Sequence, residues 1–371
     1  MSSTYRRSWV KARSSWRCTV QRNSSSFSGL QTEMPARKLR PIFEDLSPQQ
    51  SYRLDVTLAD FLPDTKAPLL LPPQTDPKPL PLPHHLVYFE PTKPPSDLLP
   101  DGTNPDQSPG EPFVRRMWAG GRVQYNNANP LLLDGRRGVC VEGIRDVSIK
   151  GKPGDEKVFV GIERRLGVCS ASELEHLAAA RRDPARLLPA LEDAVRSRLW
   201  QADEGAFGDA AVVERRSIVF MRERTPEQLA AATAAARAPE KILRPQHEPE
   251  YAHAVVPNAQ LLFRYSALTF NAHAIHLDPH YCRAVEGHRN LLFHGPLSFT
   301  FLLVLLRDRL AKEAGGREVI RSVEYRNLAP LYAYEPVKFC GRKDGEGKWE
   351  IWAETPEGGV AVKGSVRTER V

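Results

Sequence analysis

Residues 295–306 place the strongest constraint on the fold of this chain, because the sequence GPLSFTFLLVLL is apolar on every face of a helix. A helix without a polar face has to be surrounded by protein. Pro296 follows Gly295 at the position where the missing proline N–H costs nothing, so we expect the helix to begin there. The stretch falls far short of the roughly 20 apolar residues of a membrane-spanning helix, which excludes a transmembrane protein. The rest of the chain must therefore enclose this helix.

Short β-branched segments bounded by Gly and Asp turns predict strands of an antiparallel sheet. They fall into two sets, which are VRRMWAGGRVQY, VCVEGIRDVSIK, KVFVGIERRL and VVERRSIVFMRE in the first, and QLLFRYSALTF, EVIRSVEYRN, YEPVKFCGRK, GKWEIWAET and GVAVKGSVR in the second. Hairpin turns are visible at KDGEG and PEGG. A curved antiparallel sheet around one buried helix is a hotdog fold. Two strand-rich halves therefore predict an α+β protein with a double hotdog.

The remaining segments predict how the chain is organised around these strands. Residues 41–112 contain 17 of the 32 prolines, and because proline fixes φ and lacks an N–H we expect extended chain that wraps the body, with residues 85–89 docking onto it. Residues 170–200 repeat Leu and Ala at helical spacing, which predicts a surface helical insertion. The predicted organisation is a targeting segment at 1–30, an N-terminal hotdog unit at 31–240 and a C-terminal unit at 241–371.

The net charge of +7 is concentrated in the first 30 residues, which carry six basic side chains and no acidic one. Without these six, 46 basic residues face 45 acidic residues, and this balance argues against a nucleic-acid surface. An Arg- and Ser-rich segment that lacks acids is typical of a mitochondrial transit peptide. A disordered basic tail is the alternative interpretation.

Five of the ten histidines fall within residues 273–294, and this cluster is the candidate site. A metal site is one interpretation, from His273, His276, Asp278 and His280. The spacing of three residues and the intervening Pro279 do not suit helical ligands, and the five cysteines form no CxxC pair. An H-x₄-D pattern of His273 and Asp278 would suit acyl transfer, and exposed histidines on a connecting loop are the bland alternative. The apolar flanks Ala272, Ala274, Ile275 and Leu277 predict that the segment is buried.

A further interpretation combines a histidine with the start of the apolar helix. The N–H of Gly295 would lie in the first helical turn, where it has no partner within the helix and the helix dipole is positive. A basic imidazole that faces such a donor can remove the acidic proton next to a thioester carbonyl, while the donor stabilises the enolate. This is the chemistry of thioester hydratases and dehydratases.

The segments YSALTFNAHAIHLDPHY and FHGPLSFTFLLVLL carry a family resemblance. They resemble the R-specific enoyl-thioester hydratase motif of MaoC-like hotdog proteins, and more closely the fungal mitochondrial hydroxyacyl-thioester dehydratase type 2 family and its relatives, the mesaconyl- and itaconyl-CoA hydratases. The resemblance extends to HHLVYFEP, LLPDGTNPDQSPGEPFVRRMWAGG, VVERRSIVFMRERT and EYRNLAPLYAYEPVKFCGR, so it covers most of the chain after about Arg40.

The resemblance implies a catalytic His276, an oxyanion donor in the N–H of Gly295, and Asn271 at the position of the family's catalytic Asp. An amide cannot take a proton, so the role of Asn271 has to differ from that of a carboxylate. Tyr265, His273, His294 and Arg264 are the candidates for substrate binding. The N-terminal unit has no corresponding constellation and is expected to be a degenerate hotdog that accommodates the acyl chain.

The activity implied is a (3R)-hydroxyacyl-thioester dehydratase of mitochondrial fatty acid synthesis that needs neither a metal nor a redox cofactor. Its substrate would be a thioester of acyl carrier protein or of coenzyme A, and a homodimer is compatible with the family. A same-fold alternative is a hydratase of a C5 dicarboxylyl-CoA, for which Arg264 would supply the cation. A non-catalytic hotdog scaffold is the alternative from another class.

We predict that residues 1–30 direct import into mitochondria, because the excess positive charge of the chain lies there. A fluorescent fusion that lacks these residues should be cytosolic, whereas the full-length fusion should colocalise with a mitochondrial dye. Unchanged mitochondrial fluorescence after the deletion would contradict the prediction.

Overall fold

A computed structural model describes residues 27–63, 66–238 and 242–370, so most of the predicted targeting segment lies outside the described residues. The helices are α1 (Leu30–Glu33), α2 (Pro48–Leu58), α3 (Ala171–Ala180), α4 (Pro184–Leu199), α5 (Pro226–Arg237), α6 (Ala259–Leu268), α7 (Pro279–Ala284) and α8 (Gly295–Ala314). The strands are β1 (Ile42–Asp45), β2 (Arg115–Tyr125), β3 (Arg137–Lys150), β4 (Lys157–Val168), β5 (Val212–Met221), β6 (Tyr251–Val255), β7 (Glu318–Asn327), β8 (Val337–Lys343), β9 (Lys348–Glu354) and β10 (Val360–Arg370).

All ten strands belong to one antiparallel sheet in the order β1-β3-β4-β5-β2-β7-β10-β9-β8-β6. The order of the first five strands, 1-3-4-5-2, recurs in the last five as 6-8-9-10-7. The two halves join where β2 pairs with β7, in a register that places Val123 opposite Val323. The two strand sets of the sequence therefore form a single sheet with an internal repeat.

Helix α8 is buried against the second half of this sheet, as its apolar sequence predicts. Phe299 stacks on Tyr325 of β7 with ring centroids 4.3 Å apart, and Phe301 stacks on Phe339 of β8 at 5.0 Å. The helix ends at Gly315, which adopts the left-handed conformation that a glycine C-cap favours. Its N-terminus is thereby fixed relative to β2 and β7.

The first half of the sheet has no counterpart of α8 in the described residues between α2 and β2. There, the only helical pieces are the short 3₁₀ turns Ala59–Phe61, His84–Val87 and Pro95–Asp97. Residues 85–89 are buried, so the predicted docking of this apolar island is confirmed. Helix α2 follows β1 as α6 follows β6, and these two helices pack against each other.

Two predictions about local structure were wrong, and two short strands were missed. The sequence QLLFRYSALTF forms α6 and no strand, because Asn258 caps the helix and Leu261, Leu262 and Tyr265 bury one helical face. Residues 42–58 of the proline-containing stretch form β1 and α2, since Pro48 occupies the first turn of α2, where proline is compatible with a helix. The short edge strands β1 and β6 were missed.

The helical insertion consists of α3 and α4, and it is more than a surface decoration. Leu191, Val195 and Leu199 of α4 are buried in one cluster with Val139 and Val141 of β3. A capping box between Ser170 and Glu173 begins α3. The insertion therefore covers the apolar outer face of the first half-sheet.

We predict that Leu191→Ala lowers the free energy of unfolding by about 2–5 kcal/mol, because it leaves a cavity between α4 and β3. Urea denaturation followed by circular dichroism measures the change. Ser197→Ala, at an exposed position of the same helix, is the matched control and should stay within about 0.5 kcal/mol of wild type. Equal stability of the two variants would contradict the packing of the insertion.

Candidate functional site

The candidate site lies at the N-terminus of α8, where the loop that follows α6 reaches the loop that precedes α8. Helix α6 ends at Thr269, and Phe270 takes a positive φ of 48°, which redirects the chain. Residues 274–276 form a single 3₁₀ turn, and the N–H of Leu292 donates to the carbonyl of Ile275 at 2.9 Å. These contacts hold the histidine-rich loop against the residues that lead into α8.

Three of the five clustered histidines come together, namely His273, His276 and His294. The rings of His276 and His294 stack with centroids 3.6 Å apart and 19° between their planes. His273 stands nearly perpendicular to His276, at 5.7 Å and 84°. His280 is exposed on α7 and His288 contacts the hydroxyl of Tyr332, so these two lie outside the cluster.

The hydrogen bonding of His276 defines its tautomer. Its Nδ1 lies 2.8 Å from the carbonyl oxygen of Leu292, which can only accept, so Nδ1 carries the proton and Nε2 is left with a lone pair. No described residue forms a hydrogen bond with Nε2. Burial lowers the pKa of His276 to about 4, although the bond to Leu292 acts in the opposite direction. At neutral pH the side chain is therefore a neutral base with Nε2 available.

Contacts with Ser266 and Tyr265 hold His294 in the ring stack with His276. Its Nε2 lies 2.9 Å from the hydroxyl of Ser266, and the ring of Tyr265 meets it edge-on at 5.1 Å. Burial, together with His276 and His273, keeps the pKa of His294 well below the usual value. Tyr265 is itself fully buried. The contacts of His294 and Tyr265 thus orient His276 within the core.

Asn271 offers hydrogen-bond donors at the edge of the cluster. Its Oδ1 accepts from the backbone N–H of His273 at 3.1 Å, and the backbone N–H of Asn271 donates to the carbonyl of Ser266 at 2.8 Å. The Nδ2 group of the same amide carries two further N–H donors. The side chain is partly exposed, so a ligand can reach it.

Gly295 is the first residue of α8 and has little room for a side chain. A Cβ atom there would lie 2.9 Å from Nδ2 of Asn327 and 3.5 Å from Cβ of Trp118. The Asn327 amide is fixed because it donates to the carbonyl of Trp118 at 2.8 Å. The Gly295 N–H belongs to the first turn, which has no acceptor within the helix. Trp118 of β2 and Asn327 of β7 were not identified from the sequence.

Asp101 is a third residue of the site that sequence reasoning missed. It lies in the proline-rich segment of the first half, and its Oδ2 is 3.5 Å from Nε2 of His273. The D-G-T sequence at 101–103 is an ordinary turn signal. The neighbouring residues in the sequence therefore do not indicate a contact with the histidines.

The alternative interpretations of the histidine cluster do not fit these contacts. Asp278 caps α7 by accepting from the backbone N–H groups of His280 and Tyr281, so it does not pair with His273 as acyl transfer would require. Within the described ranges, no three His, Cys, Asp or Glu side chains are arranged to hold a metal ion. The prediction that apolar flanks bury the loop was wrong for Ala272 and Leu277, which are exposed, while His273 and His276 are buried.

Arg264 lies apart from the cluster. Its side chain is exposed on α6, and no hydrogen bond or ion pair joins it to the three histidines in the described structure. In the described parts of the chain, no helix combines the length and the hydropathy needed to cross a membrane.

Comparisons with known proteins show which family the chain resembles. A family model described as hydroxyacyl-thioester dehydratase type 2 matches residues 83–183 and 190–333. The mesaconyl-C(4)-CoA hydratase of Chloroflexus aurantiacus is 28% identical over 319 residues, which are 84% of this chain and 92% of that protein. The mitochondrial hydroxyacyl-thioester dehydratase type 2 of Schizosaccharomyces pombe is 24% identical over 264 residues, 69% of this chain and 76% of that one.

Two solved structures resemble the whole fold. One is a MaoC-like dehydratase from Phytophthora capsici, with a TM-score of 0.50, 14% identity and coverage of 92% of this chain and 99% of that chain. The other is HtdX from Mycobacterium tuberculosis, with a TM-score of 0.50, 12% identity and coverage of 89% and 99%. The predicted fold, an α+β double hotdog, is confirmed.

We predict that the buried histidines make the fold sensitive to acid. The pKa of His276 falls from 6.5 to about 4 on folding, so the unfolded chain binds more protons between these values and stability decreases as the pH falls through them. This difference in the pKa of His276 contributes on the order of 3 kcal/mol to the free energy of unfolding. The contribution is present above about pH 6.5 and is lost as the pH falls towards 4. Urea denaturation at a series of pH values should show a shallower pH dependence for His276→Gln than for wild type. Identical pH dependence would contradict the assignment.

Proposed function

Because the chain belongs to the hydroxyacyl-thioester dehydratase type 2 family, we propose that it catalyses the reversible dehydration of (3R)-hydroxyacyl thioesters to trans-2-enoyl thioesters. One observation carries the proposal. His276 is a neutral imidazole whose unprotonated Nε2 belongs to a buried cluster next to the N-terminus of α8. A base and a backbone oxyanion donor are the two groups that removal of a proton next to a thioester carbonyl requires.

The proposed reaction uses a single imidazole as acid and base. Nε2 of His276 takes the C2 proton, and the electron pair moves onto the carbonyl oxygen, which the N–H of Gly295 stabilises. The enolate then reforms the carbonyl and expels the C3 hydroxyl, which leaves as water after taking the proton back from His276. The Nδ2 group of Asn271 donates to this hydroxyl and orients it. The proton that leaves carbon thus ends on the departing oxygen.

The carrier and the compartment are part of the proposal. The named relatives include a CoA hydratase and a mitochondrial dehydratase, which supports a thioester of coenzyme A or acyl carrier protein as substrate and a role in mitochondrial fatty acid synthesis. Association into a homodimer and a matrix location complete the proposal. The division at residue 240 into a substrate-accommodating unit and a catalytic unit stays a prediction.

Hydration of a C5 dicarboxylyl-CoA is the second candidate, and an arginine near the cluster favours it. Arg116 of β2 donates to the carbonyl of Asn104 at 3.1 Å, and its Nε is buried without a partner in the described structure. Its charge is close enough to lower the pKa of His273. Arg116 is therefore better placed than the exposed Arg264 to meet a second carboxylate. If this candidate is correct, Arg116→Gln should impair hydration of mesaconyl-CoA far more than hydration of crotonyl-CoA.

A substrate panel tests the function directly. Purified protein is assayed for hydration of trans-2-enoyl thioesters of increasing length on coenzyme A and on acyl carrier protein, with mesaconyl-CoA alongside. Turnover of straight-chain enoyl thioesters with formation of the (3R) product supports the main proposal. Turnover of mesaconyl-CoA alone supports the second candidate, and the absence of turnover with every thioester would leave the non-catalytic scaffold.

We predict that His276→Ala lowers kcat by about 10²–10⁴-fold, because one imidazole carries the proton in both directions. Steady-state kinetics with one enoyl thioester measures the loss, and circular dichroism checks that the fold persists. His280→Ala is the matched control, since His280 lies exposed four residues further along the chain, on α7. Activity of His276→Ala within about tenfold of wild type would place the base elsewhere, with His273 examined first.

We predict that Asn271→Asp is neutral to harmful and that Asn271→Ala is clearly harmful. A carboxylate at 271 can still accept from the N–H of His273 but loses the donors of Nδ2, and it adds a charge to a half-buried site. The kinetics of both variants with the same thioester decide the matter. A large gain for Asn271→Asp would contradict the single-base mechanism, and an unaffected Asn271→Ala would remove this residue from the site.

A further inference from the structure

The carboxylate nearest to the histidine cluster comes from the other half of the protein. Asp101 is only 6% exposed, and its Oδ2 is 3.5 Å from Nε2 of His273. This oxygen is buried and forms no hydrogen bond with any described residue. A buried carboxylate oxygen without a donor is costly unless a neighbouring group can supply a proton to bond with. Nε2 of His273 lies within ion-pair distance of this oxygen, at the outer limit of a hydrogen bond.

Local contacts fix Asp101 in this position. Its Oδ1 accepts from the N–H of Thr103 at 3.0 Å and from the Thr103 hydroxyl at 2.6 Å. Its carbonyl accepts from the N–H of Ala274 at 2.8 Å, which ties the loop to the turn that carries His276. Gly102 has a φ of 83°, and a Cβ atom there would lie 2.1 Å from the carbonyl oxygen of Ala272, so only glycine permits this approach.

The surroundings of His273 keep its imidazole neutral, so only one of its two nitrogens carries a proton. Burial, His276 and Arg116 all lower the pKa of His273, and Tyr281 also lies within electrostatic reach of Asp101. A carboxylate that accepts from one nitrogen of a histidine fixes the tautomer, so that the other nitrogen keeps its lone pair.

We propose that Asp101, from the N-terminal half, is a positioning residue that holds His273 in the Nε2–H tautomer, with Nδ1 unprotonated in the cluster. The inference rests on the proposed dehydratase function for its effect on rate, but the tautomer can be observed without any substrate. The N-terminal half then contributes directly to the active site in addition to supporting the acyl chain.

Asp101→Asn is a sharp test because the fold dictates how the amide will lie. The N–H of Thr103 requires an acceptor, so the amide oxygen should take the place of Oδ1 and the NH₂ group should point at His273. A donor at this place forces Nε2 of His273 to accept, and the proton should move to Nδ1. Long-range ¹H–¹⁵N spectra of ¹⁵N-histidine-labelled protein report the tautomer, with the His273 signals assigned by their loss in His273→Asn.

The kinetic arm separates a positioning role from a structural one. We expect Asp101→Asn to lower kcat by about 10–100-fold with KM within about threefold, a size typical of outer-shell carboxylates. In the His273→Asn background the same change should cause no further loss, since Asp101 acts through the imidazole. Asp106→Asn is the matched control, because Asp106 lies in the same segment and forms an ion pair with Lys93 at 3.0 Å.

The outcomes distinguish this proposal from the proposed function. An unchanged tautomer in Asp101→Asn, or an equal kcat loss with and without His273, would overturn the role of Asp101 while leaving the dehydratase intact. A reversed tautomer in a protein that turns over no thioester would support the contact and refute the function. A reversed tautomer together with a loss of kcat that depends on His273 supports both.

Discussion

Burial of α8 is the interaction on which the rest of the structure depends. A helix of 20 residues whose first three turns are apolar on all sides cannot remain in water, so the second half-sheet has to curve around it. Enclosure also fixes where the helix begins, because Phe299 and Phe301 lock its rotation against β7 and β8. The N–H groups of the first turn therefore point to a fixed place. The chemistry of the site follows from the packing of the helix.

The same burial creates a tension in the chemistry of His276. Loss of hydration lowers its pKa to about 4, which keeps the base free of protons at neutral pH but makes it a weak base. In the proposed reaction this weakness is offset, because the enolate and the imidazolium form together. Opposite charges attract far more strongly in an enclosed site than in water. The stacked His294 is also held neutral, so no second positive charge opposes protonation of His276.

The parts of the site that could be predicted from the sequence are local in the chain. The run from Asn271 to His276 and the Gly295–Pro296 helix start lie within 25 residues of one another, and their spacing and residue types already suggest a base and an oxyanion donor. The other residues of the site could not be found in this way. Pairing of β2 with β7 brings Trp118 and Asn327 to the N-terminus of α8. The path of an irregular segment brings Asp101 to His273. Such contacts depend on long-range register, which no window of sequence contains.

The misassignment of α6 has a related cause. Its aromatic and β-compatible residues suggest a strand, yet Leu261, Leu262 and Tyr265 recur at the spacing of a helical face and Asn258 provides a cap. In a segment of only ten residues both periods fit, and the contact with α2 decides between them. Tertiary packing, and not propensity, makes this segment helical.

The placement of Asp101 raises the question of how a segment without regular secondary structure can hold a side chain that we propose positions His273. Backbone hydrogen bonds of a sheet cannot hold this segment, because its prolines lack the N–H donors that strand pairing needs. Arginines of the ordered body take their place: Arg164 donates to the carbonyl of Phe89 at 2.5 Å, Arg116 to that of Asn104 at 3.1 Å, and Arg37 to that of Ser108 at 2.7 Å.

The arginine contacts explain a difference between the two halves of the sheet. The first half packs buried charged side chains against the proline-rich segment, whereas the second half packs against the apolar helix α8. Arg164 is completely buried and lies 3.2 Å from Glu142 and 3.3 Å from Glu214, so its charge is compensated while its guanidinium reaches the proline-rich chain. An ion pair of this kind adds little net stability compared with apolar packing, but removal of one partner leaves an uncompensated charge in the core. The contribution of Arg164 is therefore positional, because its guanidinium holds the irregular segment from which Asp101 reaches His273 of the other half.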